Sequence, residues 1–131
     1  MLGKQPISTD NLVGSSCTVL KAAFRIMEKW GCSSEQIQAV LQLSERDYQE
    51  FLKAPETSDL NEEQLKRVSY LLNIHASLRN TFSNPENIYG FMSLANHNPF
   101  FEGRTPLEII CEGNLVNLRN VSEQIEAVSR R

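Results

Sequence analysis

Apolar residues recur along this chain with the spacing of helices. From Ser16 they fall at 19, 20, 23, 24, 27 and 30, one face of a helix that Gly31 ends. A second helix is predicted from Ser33 or Ser34, burying Ile37, Val40 and Leu41. A third follows the cap Ser44 and buries Tyr48, Phe51 and Leu52, until Pro55 and the polar run Glu56-Thr57-Ser58-Asp59 break it. The fourth runs from near Asn61 to about Asn80, with Leu65, Val68, Leu71, Leu72, Ala76 and Leu78 along one side. Asn84-Pro85 opens a fifth, which stops before Asn96-His97-Asn98. A short sixth helix spans 106–112, and a seventh runs from Leu115 to about Val128, burying Leu118, Val121, Ile125 and Val128. No stretch alternates with period two, no repeat is present, and the five prolines fall outside helix interiors. The expected fold class is all-α. Residues 1–14, with Gly3, Pro6, Gly14 and small polar side chains, read as a flexible arm.

The stretch Asn98-Pro-Phe-Phe-Glu-Gly-Arg-Thr-Pro-Leu-Glu-Ile-Ile-Cys-Glu-Gly113 reads as a compact loop feeding a short capped helix. Thr105 is a good N-cap, because its hydroxyl accepts from a free amide of the first turn. Pro106 suits the first helical position, where no donor is needed. Glu108, three residues after Thr105, completes a capping box. Gly113 suits the left-handed residue that ends a helix.

The wording of that stretch, Asn-Pro-x-Phe-x-Gly-Arg-Thr-Pro-Leu-Glu, resembles the toxin-binding domain of RES–Xre type II antitoxins, also called the MbcA/ParS/Xre domain. Trp30-Gly31, the run Leu60–Ile74 and the turn Phe82-Ser-Asn-Pro-Glu-Asn87 are similar to that family in the same order. The likeness covers roughly residues 18–129. It implies an Xre-like helix-turn-helix and dimerisation region over 15–80 and a toxin-binding domain over 81–131. It further implies that the chain neutralises a RES-domain toxin, which acts on NAD by degrading it or transferring its ADP-ribose. The antitoxin would cover the toxin's NAD entrance, with Asn98, Pro99, Gly103, Arg104, Thr105 and Pro106 in the toxin-binding motif. The chain end would point at the pocket. Here the matching tail is Ile125–Arg131, and Arg130 and Arg131 are placed to pair with carboxylates at its mouth. A frayed end is the other reading of the tail. For Arg104 the other reading is a side chain that ties the loop to a carbonyl or a nearby carboxylate.

Helices two and three, joined at Gln42-Leu43, have the spacing of a helix-turn-helix. The third would show Glu45, Arg46, Gln49, Glu50 and Lys53 to a major groove, with Arg46, Gln49 and Lys53 as the DNA-binding side chains. Three features oppose strong DNA binding. Gln38 stands where a small residue allows close helix approach. Gln42 stands where glycine takes the turn. Carboxylates outnumber cations on the reading face, and affinity for DNA rests on neutralising phosphates. A hairpin used only for folding or dimerisation is the alternative. A homodimer is expected, since helix-turn-helix proteins read paired half-sites.

The chain has 131 residues, 40% hydrophobic, with a net charge of −3 and a pI near 5.4. That length means one domain or two very small ones packed together, and the charge excludes a generally basic nucleic-acid coat. No apolar run approaches the roughly 20 residues that span a bilayer, and the first residues lack a secretion signal's apolar segment. Cys17, Cys32 and Cys111 are odd in number and set in no zinc-like spacing. They read as reduced, mostly buried thiols of a cytoplasmic protein. His75 and His97 have no nucleophile beside them, the Glu62-Glu63 pair complements a helix dipole, and Trp30 reads as core. No phosphate loop, metal cluster or triad is evident. The expectations are therefore no enzyme, no cofactor, no metal and no catalytic residue. The alternatives to an antitoxin are a stand-alone helix-turn-helix regulator and a helical adaptor, and a neighbouring gene for a RES domain separates them.

Overall fold

A computed structural model describes residues 9–57 and 59–130, with side chains from Cys17 onward apart from that of Thr57. The described residues form seven α-helices and no strand: α1 (Thr9–Lys29), α2 (Ser34–Leu41), α3 (Glu45–Lys53), α4 (Glu62–Thr81), α5 (Pro85–Gly90), α6 (Pro106–Ile110) and α7 (Leu115–Ser129). Short 3-10 turns at Pro55–Thr57 and Phe91–Ser93 follow α3 and α5.

Local chemistry sets most helix ends. Ser33 caps α2 and Asn61 caps α4, each in a reciprocal box with the glutamine three residues on. Ser44, Asn84 and Asn114 cap α3, α5 and α7. After α1 the chain turns at Gly31, φ +85°, and the Cys32 N–H donates to the Met27 carbonyl at 3.0 Å. This six-to-one bond is what a left-handed residue after a helix permits.

The core lies where α1, α4 and α7 meet. α7 packs along α4 more extensively than any other helix pair, and α1 packs against α4 as well. Leu20, Ala23, Phe24 and Met27 of α1, and Trp30 just after it, join Val68, Leu71, Ile74 and Leu78 of α4 and Leu118, Val121 and Ile125 of α7 in one buried cluster. The cluster has no break near residue 80, so residues 81–131 share their core with the helices before them.

Several expectations need correction. The helical backbone reaches back to Thr9, so residues 9–14 of the expected arm are helix, while 1–8 lie outside the described residues. One glycine inside a helix costs only about 1 kcal/mol, too little to stop it at Gly14. Leu52 is 53% exposed rather than buried. α3 has room for one deep aromatic, and Phe51 takes it, 4.4 Å from the Phe24 ring centroid. On α4, Ala76 is exposed and Leu65 half-buried, while Gln64, Arg67, Ile74 and Ser77 turn inward. The inward stripe of α4 mixes polar with apolar side chains, which hides it from a purely apolar reading. Val128 is only half-buried, and α6 ends at Ile110.

Candidate functional site

The loop before α6 holds itself together by its own backbone. Gly103 N–H donates to the Asn96 carbonyl at 2.8 Å, and Asn96 N–H to the Arg104 carbonyl at 3.1 Å. The Asn96 side chain accepts from Asn98 N–H, and the Asn98 side chain from Phe100 N–H, at 2.9 and 3.1 Å. Such turns are where asparagine is favoured. Glu102 and Gly103 are both left-handed, with φ +53° and +83°. Phe101, 3% exposed, anchors the loop in the core, while Pro99 and Glu102 stay exposed.

The capping box of α6 forms as its sequence requires. Thr105 Oγ1 accepts from Glu108 N–H at 3.0 Å, and Glu108 Oε1 from Thr105 N–H at 2.8 Å. The backbone bond from Thr105 holds the Glu108 carboxyl below its usual range. Pro106 is buried. Arg104 pairs with Glu112, each half exposed, and Glu112 also accepts from Asn117 Nδ2 at 2.7 Å. Arg104 thus ties its loop to the turn before α7 through a carboxylate, and still shows nearly half its surface.

Asn98, Pro99, Gly103, Arg104, Thr105 and Pro106 are therefore brought together. Arg130 is not with them. It ends α7, whose 15 residues span about 22 Å, and its side chain approaches Glu126 at 3.8 Å. Arg131 lies outside the described residues.

α2 and α3 meet in helix-turn-helix order. Gln42 takes the left-handed turn position, φ +55°, and Leu43 N–H donates to the Gln38 carbonyl at 3.0 Å. Glutamine thus adopts the conformation glycine favours. On the outer face of α3, Arg46 approaches Glu50 at 3.4 Å. Gln49 donates to Glu45 at 2.8 Å, and Gln38 donates to Glu45 at 3.0 Å. These two bonds, Gln49's first, hold the Glu45 carboxyl below its usual range. Lys53 is exposed. A cleft of about 110 Å³ beside α3 is lined by Leu20, Leu43, Phe51, Leu60, Asp47, Glu50 and Asp59. Residues 28–63 carry nine acidic and three basic side chains, a net charge of −6, against +3 for the rest of the chain. Two of the three expected DNA-binding side chains are thus engaged by carboxylates of their own helix.

Arg67 and Gln64 were legible only as an ordinary helix surface. Arg67 is 4% exposed. Its Nη1 donates to the Val40 carbonyl at 3.0 Å and the Gly113 carbonyl at 2.9 Å, and its Nε and Nη2 donate to Glu63 at 3.1 and 2.8 Å. Gln64 Nε2 donates to the Gln42 carbonyl at 2.9 Å. Gly113, φ +82°, lies so near that a Cβ there would sit 3.1 Å from the Ala39 oxygen. No sequence signal marks the burial of either residue, because the carbonyls they reach are 22 to 46 positions away.

The three cysteines are free and half-buried rather than buried. Cys32 and Cys111, distant in sequence, come together. The hydrogen bond between them, and then burial, push the Cys32 thiol up, while the same bond holds Cys111 down against its own burial. His75 stacks on Tyr89, with ring centroids 5.5 Å apart. Among the described residues no helix is long and apolar enough to cross a membrane.

No curated protein and no solved structure matches the chain. Residues 18–73, from the middle of α1 into α4, match the family model described as the antitoxin Xre-like helix-turn-helix domain, and that match supports an Xre-type antitoxin.

Proposed function

We propose that this chain is an antitoxin that binds a RES-domain toxin and covers its NAD entrance. The observation that carries this reading is the Asn96–Gly113 segment. It lies beyond the matched helix-turn-helix, and its loop and α6 are ordered by bonds of their own. A preordered loop loses little conformational freedom on binding, which favours tight association. Pro99 and Glu102 are exposed, and Arg104 and Glu112 half exposed. They offer a mixed polar surface around the buried anchors Phe101 and Pro106. Asn98, Gly103 and Thr105 shape that surface through turns and caps, and Arg104 touches the toxin with its open half. Arg130, about a helix length away, forms a second contact at the toxin's pocket mouth together with Arg131. Two chains associate through the α1–α4 region.

The helix-turn-helix supports a second role, as a repressor that touches its operator with Arg46, Gln49 and Lys53. The carboxylates on the same face make that contact weak.

The test is reconstitution with a purified RES-domain toxin. NAD consumption by that toxin is measured with and without the antitoxin, and complex formation by calorimetry. Full NAD consumption at saturating antitoxin would sink the reading. Substituting Pro99 and Arg104 together lowers affinity, while Arg130→Ala with Arg131→Ala leaves binding largely intact and raises residual NAD turnover.

A further inference from the structure

Three carbonyls at the end of α2 and its cap are met by side chains. Gln42 Nε2 donates to the Ala39 carbonyl at 2.8 Å, Arg67 to that of Val40, and Gln64 to that of Gln42. The last carbonyls of a helix have no partner within it, so these contacts decide where the turn between α2 and α3 sits. Two of the three come from α4. The same Arg67 Nη1 also holds the Gly113 carbonyl at 2.9 Å, in the turn between α6 and α7. One buried guanidinium therefore serves a carbonyl 27 residues before it and another 46 residues after it. The two turns also touch directly, with a Gly113 Cβ position 3.2 Å from Gln42 Nε2.

We propose that Arg67 couples the helix-turn-helix turn to the α6–α7 turn, so that a protein partner gripping Asn96–Gly113 also fixes the position of α3. The partner in this statement rests on the antitoxin reading above, whereas the coupling belongs to the chain alone and is tested without a partner. The argument is one of stakes. Bonds from a charged donor are about twice as strong as neutral ones, and a carbonyl left unmet in the interior costs about 1–3 kcal/mol. A shift of Gly113 must either draw the guanidinium along, at the expense of Val40, or break its own bond. Glu63 holds the guanidinium from a third side with two bonds, 3.1 and 2.8 Å long, so its plane has little freedom to serve one turn without the other. Coupling between sites is reciprocal: whatever orders the α2–α3 turn also favours the bound form of the α6–α7 turn.

The experiment uses amide hydrogen exchange by NMR on the free full-length chain. Glu112→Ala is the perturbation. Glu112 bonds Arg104 and Asn117, both on the α6–α7 side of the molecule, and adjoins Gly113. The reporters are the Gln42 and Leu43 amides, both bonded to the Gln38 carbonyl. Leu71, in the middle of α4, reports global opening. The expected result is exchange about threefold faster or more at Gln42 and Leu43 with Leu71 unchanged, a local opening. In an Arg67→Lys background, whose ammonium is a point charge without the fork, the transmitted acceleration falls within error. In a Glu63→Gln background, which keeps both carbonyl bonds and an amide oxygen that still accepts from the guanidinium, it persists, and this arm decides the matter should Arg67→Lys fail to fold. Unchanged exchange in the wild-type chain, equal acceleration in the Arg67→Lys background, or loss of transmission in the Glu63→Gln background overturns the coupling. A toxin that fails to bind leaves every one of these measurements standing.

Discussion

α3 and α6 start alike and end differently. Each begins at a hydroxyl cap, Ser44 or Thr105, and each cap follows a left-handed residue two positions earlier, Gln42 or Gly103. The residue between them decides the difference. Leu43 is 8% exposed and pins α3 to the core, while Arg104 faces outward and reaches Glu112. The polar side chains of α3 are spent on their own helix and on Gln38, in the Arg46–Glu50 and Gln49–Glu45–Gln38 contacts. Those around α6 tie it to the start of α7 through Glu112 and Asn117. A helix whose charges are satisfied at home has little left for an anionic partner. A helix knitted to its neighbours presents a surface that survives contact.

The largest expected effect tests whether these two regions are separable at all. Deleting residues 105–131 removes Leu118, Val121 and Ile125 from the core, three side chains at 2% exposure or less. Each buried aliphatic side chain is worth about 2–5 kcal/mol against truncation, and a whole domain is stable by only about 5–15 kcal/mol. The 1–104 fragment should therefore lose its cooperative melt by circular dichroism. A fragment that melts like the full chain would show that α1–α4 fold alone and that α7 merely leans on α4.

Reading the chain alone left open one domain or two small ones packed together, for a physical reason. Caps and periodicity act within a few residues, so Ser33, Ser44, Asn84, Thr105 and the Leu118, Val121 and Ile125 positions of α7 were legible as written. The docking of α7 along α4 joins helices whose nearest ends, Thr81 and Leu115, are 34 positions apart, and nothing local announces it. Arg67 shows the same limit. With Glu63 four residues earlier it looks like a solvated helix pair, and only the arrival of the Val40 and Gly113 carbonyls makes burying it tolerable. On the candidate surface, the Asn98–Gly113 motif was legible as a capped unit, and Arg104 makes the carboxylate contact that one of its two readings named.

A second prediction concerns charge on α3. Replacing both Glu45 and Glu50 by glutamine removes two carboxylates that face the phosphates of a docked duplex and frees Arg46. At about 1 kcal/mol per close charge in water, affinity for a DNA fragment should rise on the order of tenfold in low salt, measured by fluorescence anisotropy. It should fall again as salt is added. Unchanged affinity would mean that α3 is not where DNA docks, and would widen its difference from α6.

The two turns offer a matched pair of smaller effects. Gly113→Ala forces a side chain into a left-handed conformation 3.1 Å from the Ala39 oxygen, which should cost about 1–2 kcal/mol by urea denaturation. Gln42→Gly relieves a similar strain but gives up the bond to the Ala39 carbonyl, worth about 0.5–1.5 kcal/mol, so its net change should lie near zero. A large loss at Gln42→Gly would show that the glutamine is kept for that bond, and that the α2–α3 turn depends on its own side chain more than on Arg67.

The smallest effect should appear with pH, and on the C-terminal side only. His75 Nδ1 is buried without a partner among the described residues, and the ring stacks on Tyr89 of α5. Burial first, and Arg79 second, hold its pKa below the usual histidine range. The sign follows from which state takes the proton more readily. Above the unfolded value, about 6.5, His75 is neutral in both states and its contribution is intact. As pH falls below that value the unfolded chain gains a proton that the folded chain resists, so stability declines. The decline stays well short of a full proton's slope, because the ring is partly open to solvent. Urea midpoints at pH 7.5 and 5.5 should therefore differ more for the native chain than for His75→Phe, which keeps the stack and cannot titrate. The Tyr89 ring resonances should move over the same range while the amides of α3 do not. If the α3 amides track that titration as well, acid reaches both regions through α4, and the contrast between α3 and α6 is one of surface alone.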